Sequence, residues 1–198
     1  MDDGTELISR LLDVIENDIV PLTRDRVATG NKVFGAAILR KSDRAIVVAE
    51  SNYETANPLW HGEVHALKTF YEIPAAERPA TRDCLFLATH EPCSLCLSAI
   101  TWTGFDNFYY LFGYADTEDI FNIPHDLRIL DEVFNVRNGG YGRQNHYWES
   151  HPIVGLVDAI SGPKKIALRA RIGALEETYR TLSDTYQKAK PGSDIPLS

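Results

Sequence analysis

Two short motifs constrain the fold of this chain more than any other feature of its sequence. They are residues 60–65, WHGEVH, and residues 89–96, THEPCSLC. Cys93 and Cys96 are three residues apart, so they share one face if a helix begins there. Pro92 suits such a beginning, because the first turn of a helix needs no amide donor at that position. The second motif therefore predicts a helix that presents two thiols near its start.

The first motif also predicts a helix start, for a geometric reason. His61 and Glu63 are two residues apart, and side chains with that spacing diverge in a helix interior. They can converge on one point only from the N-terminal end, and Pro58 lies where such a start is expected. We therefore expect two helix N-termini to meet at one place, where their positive dipole ends would favour thiolates.

The residue types in these motifs predict a metal centre. Zinc binds imidazole nitrogen and thiolate sulfur, and a catalytic zinc keeps three protein ligands and one position for water. His61, Cys93 and Cys96 supply such a ligand set for Zn²⁺. Glu63 is then free to take a proton from that water and to pass it to a departing amine. This arrangement resembles the zinc sites of base deaminases, and the resemblance implies hydrolytic removal of ammonia from an amidine-like ring carbon.

A non-enzymatic alternative uses the same residues. His61 and His65 are four apart and can chelate together, so with the two cysteines they would form a closed structural Cys₂His₂ site. This zinc-stabilised module would leave Glu63 without a role, and it reverses the usual order of cysteines before histidines. The enzyme is therefore the favoured hypothesis.

Composition narrows the class of protein. The 198 residues are 44% apolar and 24% charged, which predicts one globular domain over 1–198 with a core at about 5–115. A net charge of −8 argues against affinity for nucleic acid. Three cysteines, two of them assigned to metal, fit a reducing compartment. With an acidic start and no apolar segment of membrane length, we expect a cytoplasmic protein without membrane contact.

The order of secondary structure predicts a layered α/β fold. Helical periodicity covers residues 5–19 and restarts at Pro21 to run to about Ala28. Helices follow the two motifs, and the predicted strands are 33–39, 45–49, 84–88, 108–112 and 152–157. The first pair is predicted to be antiparallel, whereas strands joined by crossover helices must be parallel. We therefore expect a three-layer α/β fold around a mixed sheet of about five strands.

The C-terminal half is less regular. Residues 113–119 are predicted to form a polar loop and residues 125–136 a helix. Residues 166–190 carry an apolar stripe that predicts a long amphipathic helix. The segment 116–160 is either a substrate-covering element or surface decoration, and the tail 191–198 is expected to be mobile.

With residues 61–63 and 92–96 in place, the chain resembles the cytidine deaminase-like superfamily. It is most similar to the branch that holds guanine deaminase, fungal-type cytosine deaminase and the tRNA adenosine deaminases. This resemblance implies an α/β/α sandwich, a homodimer, and Glu63 as the proton shuttle. It also implies that Asn52 hydrogen-bonds the base, with Asn57 as the reserve candidate.

The resemblance leaves several substrates open. Residues 99–102 and 113–119 are similar to guanine deaminases, whereas residues 61–63 are similar to the cytosine deaminase variant. We expect a small-molecule nucleobase or nucleoside, foremost a free purine such as guanine or an analogue. Cytosine, a nucleoside and tRNA adenosine are alternatives, and the acidic charge weighs against tRNA. The candidates for the pocket wall are Phe34, His90 and Trp102, for which packing in the core is the other explanation.

Overall fold

The computed structural model describes residues 3–119, 121, 123–192 and 194–197. Within them, the strands are β1 (Gly35–Arg40), β2 (Ile46–Ser51), β3 (Cys84–His90), β4 (Asn107–Phe112) and β5 (Glu149–Pro152). The α-helices are α1 (Asp3–Val14), α2 (Val20–Val27), α3 (Gly62–Glu72), α4 (Ser94–Thr103), α5 (Tyr114–Asp119), α6 (His125–Glu132), α7 (Ile153–Asp158) and α8 (Pro163–Ala189). A π-helical turn, Ile15–Ile19, joins α1 to α2. No helix in these ranges is both long and apolar enough to cross a membrane.

The strands form one mixed sheet in the order β2-β1-β3-β4-β5. β1 pairs antiparallel with β2 and with β3. β3 pairs parallel with β4, and β4 pairs parallel with β5. The carboxyl ends of β3 and β4 therefore lie at one edge, where the chain continues from β3 into the second motif. The predicted mixed α/β sheet is confirmed.

Helices cover both faces of the sheet, because alternate strand residues point to opposite sides. On one face, Ala36 and Ile38 pack with α3, α4 and the aromatic residues of β4. On the other face, Ala37 and Leu39 pack with α1, α2, α7 and α8. The fully buried Tyr179 belongs to this second core. The result is the expected three-layer arrangement.

The end of the sheet differs from the prediction of a strand at 152–157. β5 ends at Pro152, and α7 begins directly after it. Ile153 and Val157 are both buried and are four residues apart, so the apolar run fits one face of a helix. The predicted polar loop at 113–119 is likewise largely helical. Asp116 accepts a hydrogen bond from the Gly113 N–H at 2.8 Å, which caps α5.

Candidate metal centre and adjoining cavity

The two motifs do begin helices, as their spacing predicts. His61 immediately precedes α3 with an extended backbone, and Cys93 is the N-cap residue of α4. Cys96 lies in the first turn of α4 and is fully buried. α4 ends at Gly104, which adopts the left-handed conformation with φ of 79°. Both helix N-termini therefore face the same point, beside the carboxyl end of β3.

The distances among the three ligands fit zinc. The Cys93 and Cys96 Sγ atoms are 3.6 Å apart, and His61 Nδ1 lies 3.4 and 3.8 Å from them. A tetrahedral zinc with its usual bond lengths requires about 3.7 Å between two sulfurs and about 3.6 Å between sulfur and nitrogen. The cluster of His61, Cys93 and Cys96 thus has both the chemistry and the size of a Zn²⁺ site.

Electrostatics in the cluster favour a thiolate. A hydrogen bond with Cys96 holds the pKa of Cys93 well below its ordinary value. Burial opposes this shift, whereas the hydrogen bond and the charge of His61 add to it. Burial, together with the neighbouring Cys93 charge, raises the pKa of Cys96. Burial lowers the pKa of His61, but its hydrogen bond and charge interaction with Cys93 prevail and raise it to about 9.

Glu63 lies beside the same cluster. It is 4% exposed, and its carboxyl is close enough to interact with the Cys96 thiol. Burial, and then the Cys93 charge, raise the pKa of Glu63 to about 7. A carboxyl group with this pKa can both accept and donate a proton near neutral pH.

His65, the second histidine of the first motif, points away from the metal cluster. His65 Nδ1 lies 3.0 Å from the Ser51 carbonyl oxygen and 3.2 Å from Glu50 Oε2, and its ring stacks on Trp60. Among the described residues, the metal cluster consists of His61, Cys93 and Cys96 alone. The closed Cys₂His₂ alternative therefore loses its fourth ligand.

A cavity of about 260 Å³ adjoins the cluster. Its walls are Lys32, Phe34, Glu54, Pro58, Leu59, His61, Cys93, Ser94, Leu95, Ile123, His125, Asp126, Ile129, Pro196 and Leu197. Of the three pocket-wall candidates, the structure places only Phe34 on this cavity. His90 lies behind it, with ring centroids 4.5 Å apart, in a box that also contains Phe112, Phe121 and Tyr179.

The prediction that Trp102 forms part of the pocket wall is wrong. Its side chain is 90% exposed. It lies nine residues after Cys93 on the same helix, and this separation amounts to roughly 13 Å along the helix axis. It therefore cannot share the end of α4 that faces the metal.

Asn52 has a different set of partners from the expected one. It is fully buried, its Oδ1 accepts a hydrogen bond from the Gly62 N–H at 2.5 Å, and its Nδ2 donates to Glu54 Oε2 at 2.8 Å. Its amide therefore fixes the start of α3 and does not reach the cavity. The reserve candidate Asn57 accepts a hydrogen bond from the Leu59 N–H at 3.0 Å in a local turn.

A close approach of two glycines explains why the first motif contains Gly62. A Cβ at this position would lie 2.6 Å from the Cα of Gly35, the first residue of β1. Since both atoms belong to rigid elements, only a residue without a side chain fits there. This contact sets how closely α3, and with it His61, approaches the sheet.

Three groups at the cavity were not predicted from the sequence. Asp126 on α6 is half-buried, and burial, followed by the Cys93 charge, raises its pKa well above the ordinary value. Lys32 and Glu54 form a buried ion pair at 2.7 Å. Pro196 and Leu197 lie at the cavity although the tail was expected to be mobile. These residues form no recognisable motif, so the sequence held no signal for their meeting.

The segment 116–160, expected to be either a substrate-covering element or surface decoration, divides into two parts. Described residues between 123 and 129 line the cavity, whereas residues 141–148 pack on the outside of α4 and against Glu91. Residues 120 and 122 lie outside the described ranges.

Comparisons with known proteins agree with this site. Residues 18–112 match the cytidine and deoxycytidylate deaminase zinc-binding region. A guanine deaminase from Bacillus subtilis (strain 168) is 32% identical over 88 residues, which are 43% of this chain and 54% of that enzyme. The match thus spans about half the length of the curated relative.

One similar solved structure supports the fold, and a second is reported with it. A crystal structure of an NE0047 mutant in complex with 8-azaguanine has a TM-score of 0.50 and 19% identity, over 82% of this chain and 80% of that one. The X-ray structure of guanine deaminase from Bacillus subtilis has a TM-score of 0.49 and 25% identity, over 64% of this chain and 81% of that one.

Proposed function

Because the chain belongs to the cytidine deaminase-like superfamily, we propose that it is a zinc-dependent hydrolytic deaminase. Its substrate is a small nitrogen heterocycle, foremost a free purine base such as guanine or an analogue. The observation that carries the proposal is the position of Glu63, a buried carboxyl that interacts with the Cys96 thiol of the ligand cluster. Two ligands of the same cluster, His61 and Cys93, line the cavity. A structural zinc module has no need of such a group.

The reaction replaces an exocyclic amino group by an oxygen atom from water. A carbon–oxygen bond forms, the carbon–nitrogen bond breaks, and ammonia leaves. Bound zinc supplies Lewis acidity, which makes water a better nucleophile at neutral pH. Glu63 accepts the proton of the attacking water and returns a proton to the leaving nitrogen. Phe34 and Ile129 offer apolar contacts to the faces of a planar ring.

The cavity favours a small base with hydrogen-bond donors. A volume of about 260 Å³ suits a single heterocycle better than a polymer. The carbonyl oxygen of the Asp126 carboxyl would accept a hydrogen bond from a ring N–H or an amino group, both of which guanine presents. The similarity to guanine deaminase supports the same choice. Cytosine or a nucleoside is the second candidate.

The charges around the cavity disfavour tRNA. Lys32 is the only lysine or arginine among the described residues of its wall, and it is already paired with Glu54. Binding of RNA requires several cations that neutralise phosphates. Activity on an RNA substrate would therefore need a surface elsewhere on the protein.

We also propose that two copies associate as a homodimer. Tyr71 on α3 is 44% exposed and donates a hydrogen bond to the Thr103 carbonyl of α4, and Trp102, the residue before Thr103, is 90% exposed. A second copy would remove these aromatic surfaces from water. Sedimentation of the wild type and of Trp102→Glu tests this, since the substitution should yield monomers.

The three free cysteines support the expected cytoplasmic location.

Ammonia release by Glu63→Gln and by the wild type tests the proposed function. The substrate panel contains guanine, cytosine, adenine, their nucleosides, and related triazines and pterins. We expect the wild type to act best on guanine or an analogue, and the variant to lose activity by about 100-fold or more while it retains zinc. Zinc-loaded wild type that releases no ammonia from any compound would contradict the proposal and favour the structural module.

A further inference from the structure

A buried carboxylate lies directly before the metal-binding loop. Glu91 is 3% exposed. Its carboxylate accepts hydrogen bonds from the Tyr141 hydroxyl at 2.7 Å, Arg143 Nη2 at 2.6 Å and the Tyr114 N–H at 3.3 Å. Its own N–H donates to the Phe112 carbonyl at 2.7 Å. A carboxylate can be buried only with such donors, so Glu91 is held in place by later parts of the chain.

The chain between Glu91 and the first thiol is short and stiff. Only Pro92 separates Glu91 from Cys93, and its ring fixes the backbone angle φ. The Pro92 carbonyl accepts a hydrogen bond from the Tyr114 hydroxyl at 2.6 Å. A shift of Glu91 would therefore be passed on to Cys93 instead of being absorbed by a flexible linker.

Arg143 is itself anchored to the sheet. The N–H and the hydroxyl of Ser150 on β5 donate to the Arg143 carbonyl at 2.9 and 3.2 Å. Further along, the Trp148 indole donates to Thr101 Oγ1 on α4 at 2.8 Å. The segment 141–148 is thus hydrogen-bonded both to α4 and to Glu91 in the loop before it, and these contacts lie outside the cavity.

We propose that Arg143 and Tyr141, acting through Glu91, are positioning residues for the metal. They keep the Cys93 loop in the conformation in which both thiols face His61. Neither residue lines the cavity, so their effect is on the ion and not on direct substrate contact. Burial and the Glu91 charge raise the pKa of Tyr141, and its hydroxyl therefore remains a donor. Groups that orient metal ligands typically change metal affinity by about 10- to 100-fold when removed.

The test measures how fast the zinc-loaded protein loses its metal to a colorimetric chelator. The variants are Arg143→Met, Glu91→Gln and the two combined, with Arg137→Met as the control, because Arg137 is an exposed arginine near the same segment. Each single variant should release zinc about tenfold faster or more. The combined variant should be no faster than the single ones, since both substitutions break the same contact. Arg137→Met should match the wild type.

Two further measurements separate positioning from folding. The absorption bands of Co²⁺-substituted Arg143→Met should shift, because they report the geometry of the thiolates around the ion. Tyr141→Phe removes one hydroxyl and keeps the ring, so it should speed zinc release less than Arg143→Met while its unfolding midpoint in chelator stays at the wild-type value.

The inference is overturned if Arg143→Met releases zinc at the wild-type rate, if the two single effects multiply in the combined variant, or if Arg137→Met is equally fast. Should Arg143→Met fail to fold, Tyr141→Phe decides, and an unchanged release rate there would refute the idea. The inference rests on the metal site of the proposed deaminase. Wild-type protein that holds zinc without deaminating anything would count against the activity alone.

Discussion

His90 should make the protein less stable in acid by a calculable amount. Its ring is 2% exposed and fills an aromatic box, and no polar atom of the described residues bonds its Nε2. Burial lowers the pKa of His90 from 6.5 to about 3. In the unfolded chain the imidazole is free to take a proton below pH 6.5.

The sign of the effect follows from proton binding. Between pH 6.5 and about 3 the unfolded state binds a proton at His90 and the folded state does not. The contribution of His90 to stability is therefore complete above pH 6.5 and is lost as the pH falls through that window. Each pH unit costs about 1.4 kcal/mol, so the loss reaches roughly 2.7 kcal/mol at pH 4.5.

Urea unfolding of the wild type and of His90→Phe between pH 7.5 and 4.5 measures this. The difference in unfolding free energy should change in favour of the variant by about 1.4 kcal/mol per pH unit below 6.5. Protonation of the metal ligands is common to both proteins and cancels in that difference. Replacement of the exposed His146 by Phe should produce no such slope. A difference that stays constant with pH would refute the reasoning.

Three further outcomes are expected. Asn52→Ala should lose about 1–3 kcal/mol of unfolding free energy in urea, because it leaves buried partners unsatisfied; a rise in KM at unchanged stability would show instead that Asn52 contacts the substrate. Gly62→Ala should lose about 1–3 kcal/mol in the same assay, since its Cβ would lie 2.6 Å from the Gly35 Cα, and a gain in stability would contradict the packing described. Burial raises the pKa of Cys84 to about 11, so mass spectrometry should find it unalkylated by iodoacetamide at pH 8 after a time that modifies the unfolded chain completely; rapid labelling of folded protein would refute its inert role.

The features that could be predicted from sequence are those set by local spacing. The interval between Cys93 and Cys96, with Pro92 before them, fixed a helix start regardless of the rest of the chain. The two-residue interval between His61 and Glu63 did the same for α3. The order of helices and strands along the chain predicted the three-layer fold, which is confirmed. The continuous burial of β1 from Gly35 to Leu39 agrees with helices on both faces of the sheet.

The features that could not be predicted depend on contacts between distant residues. Asp126 reaches the cavity because α6 packs against α4, and no motif around it indicates this contact. The apolar run after Pro152 was ambiguous between strand and helix, since short apolar runs have no distinctive period. The resemblance implied that Asn52 contacts the base, but its side-chain amide is hydrogen-bonded to the Gly62 N–H and to the Glu54 carboxylate instead.

The two faces of the sheet must be completed at different times during synthesis. The layer with the zinc ligands is built mainly from residues 62–112, so its side chains are available once the first four strands have emerged from the ribosome. The opposite layer combines α1 with α8 and cannot close until residues 163–189 have been made. During synthesis one apolar face of the sheet is therefore still exposed after the zinc ligands have been made, and it needs protection from aggregation until α8 follows.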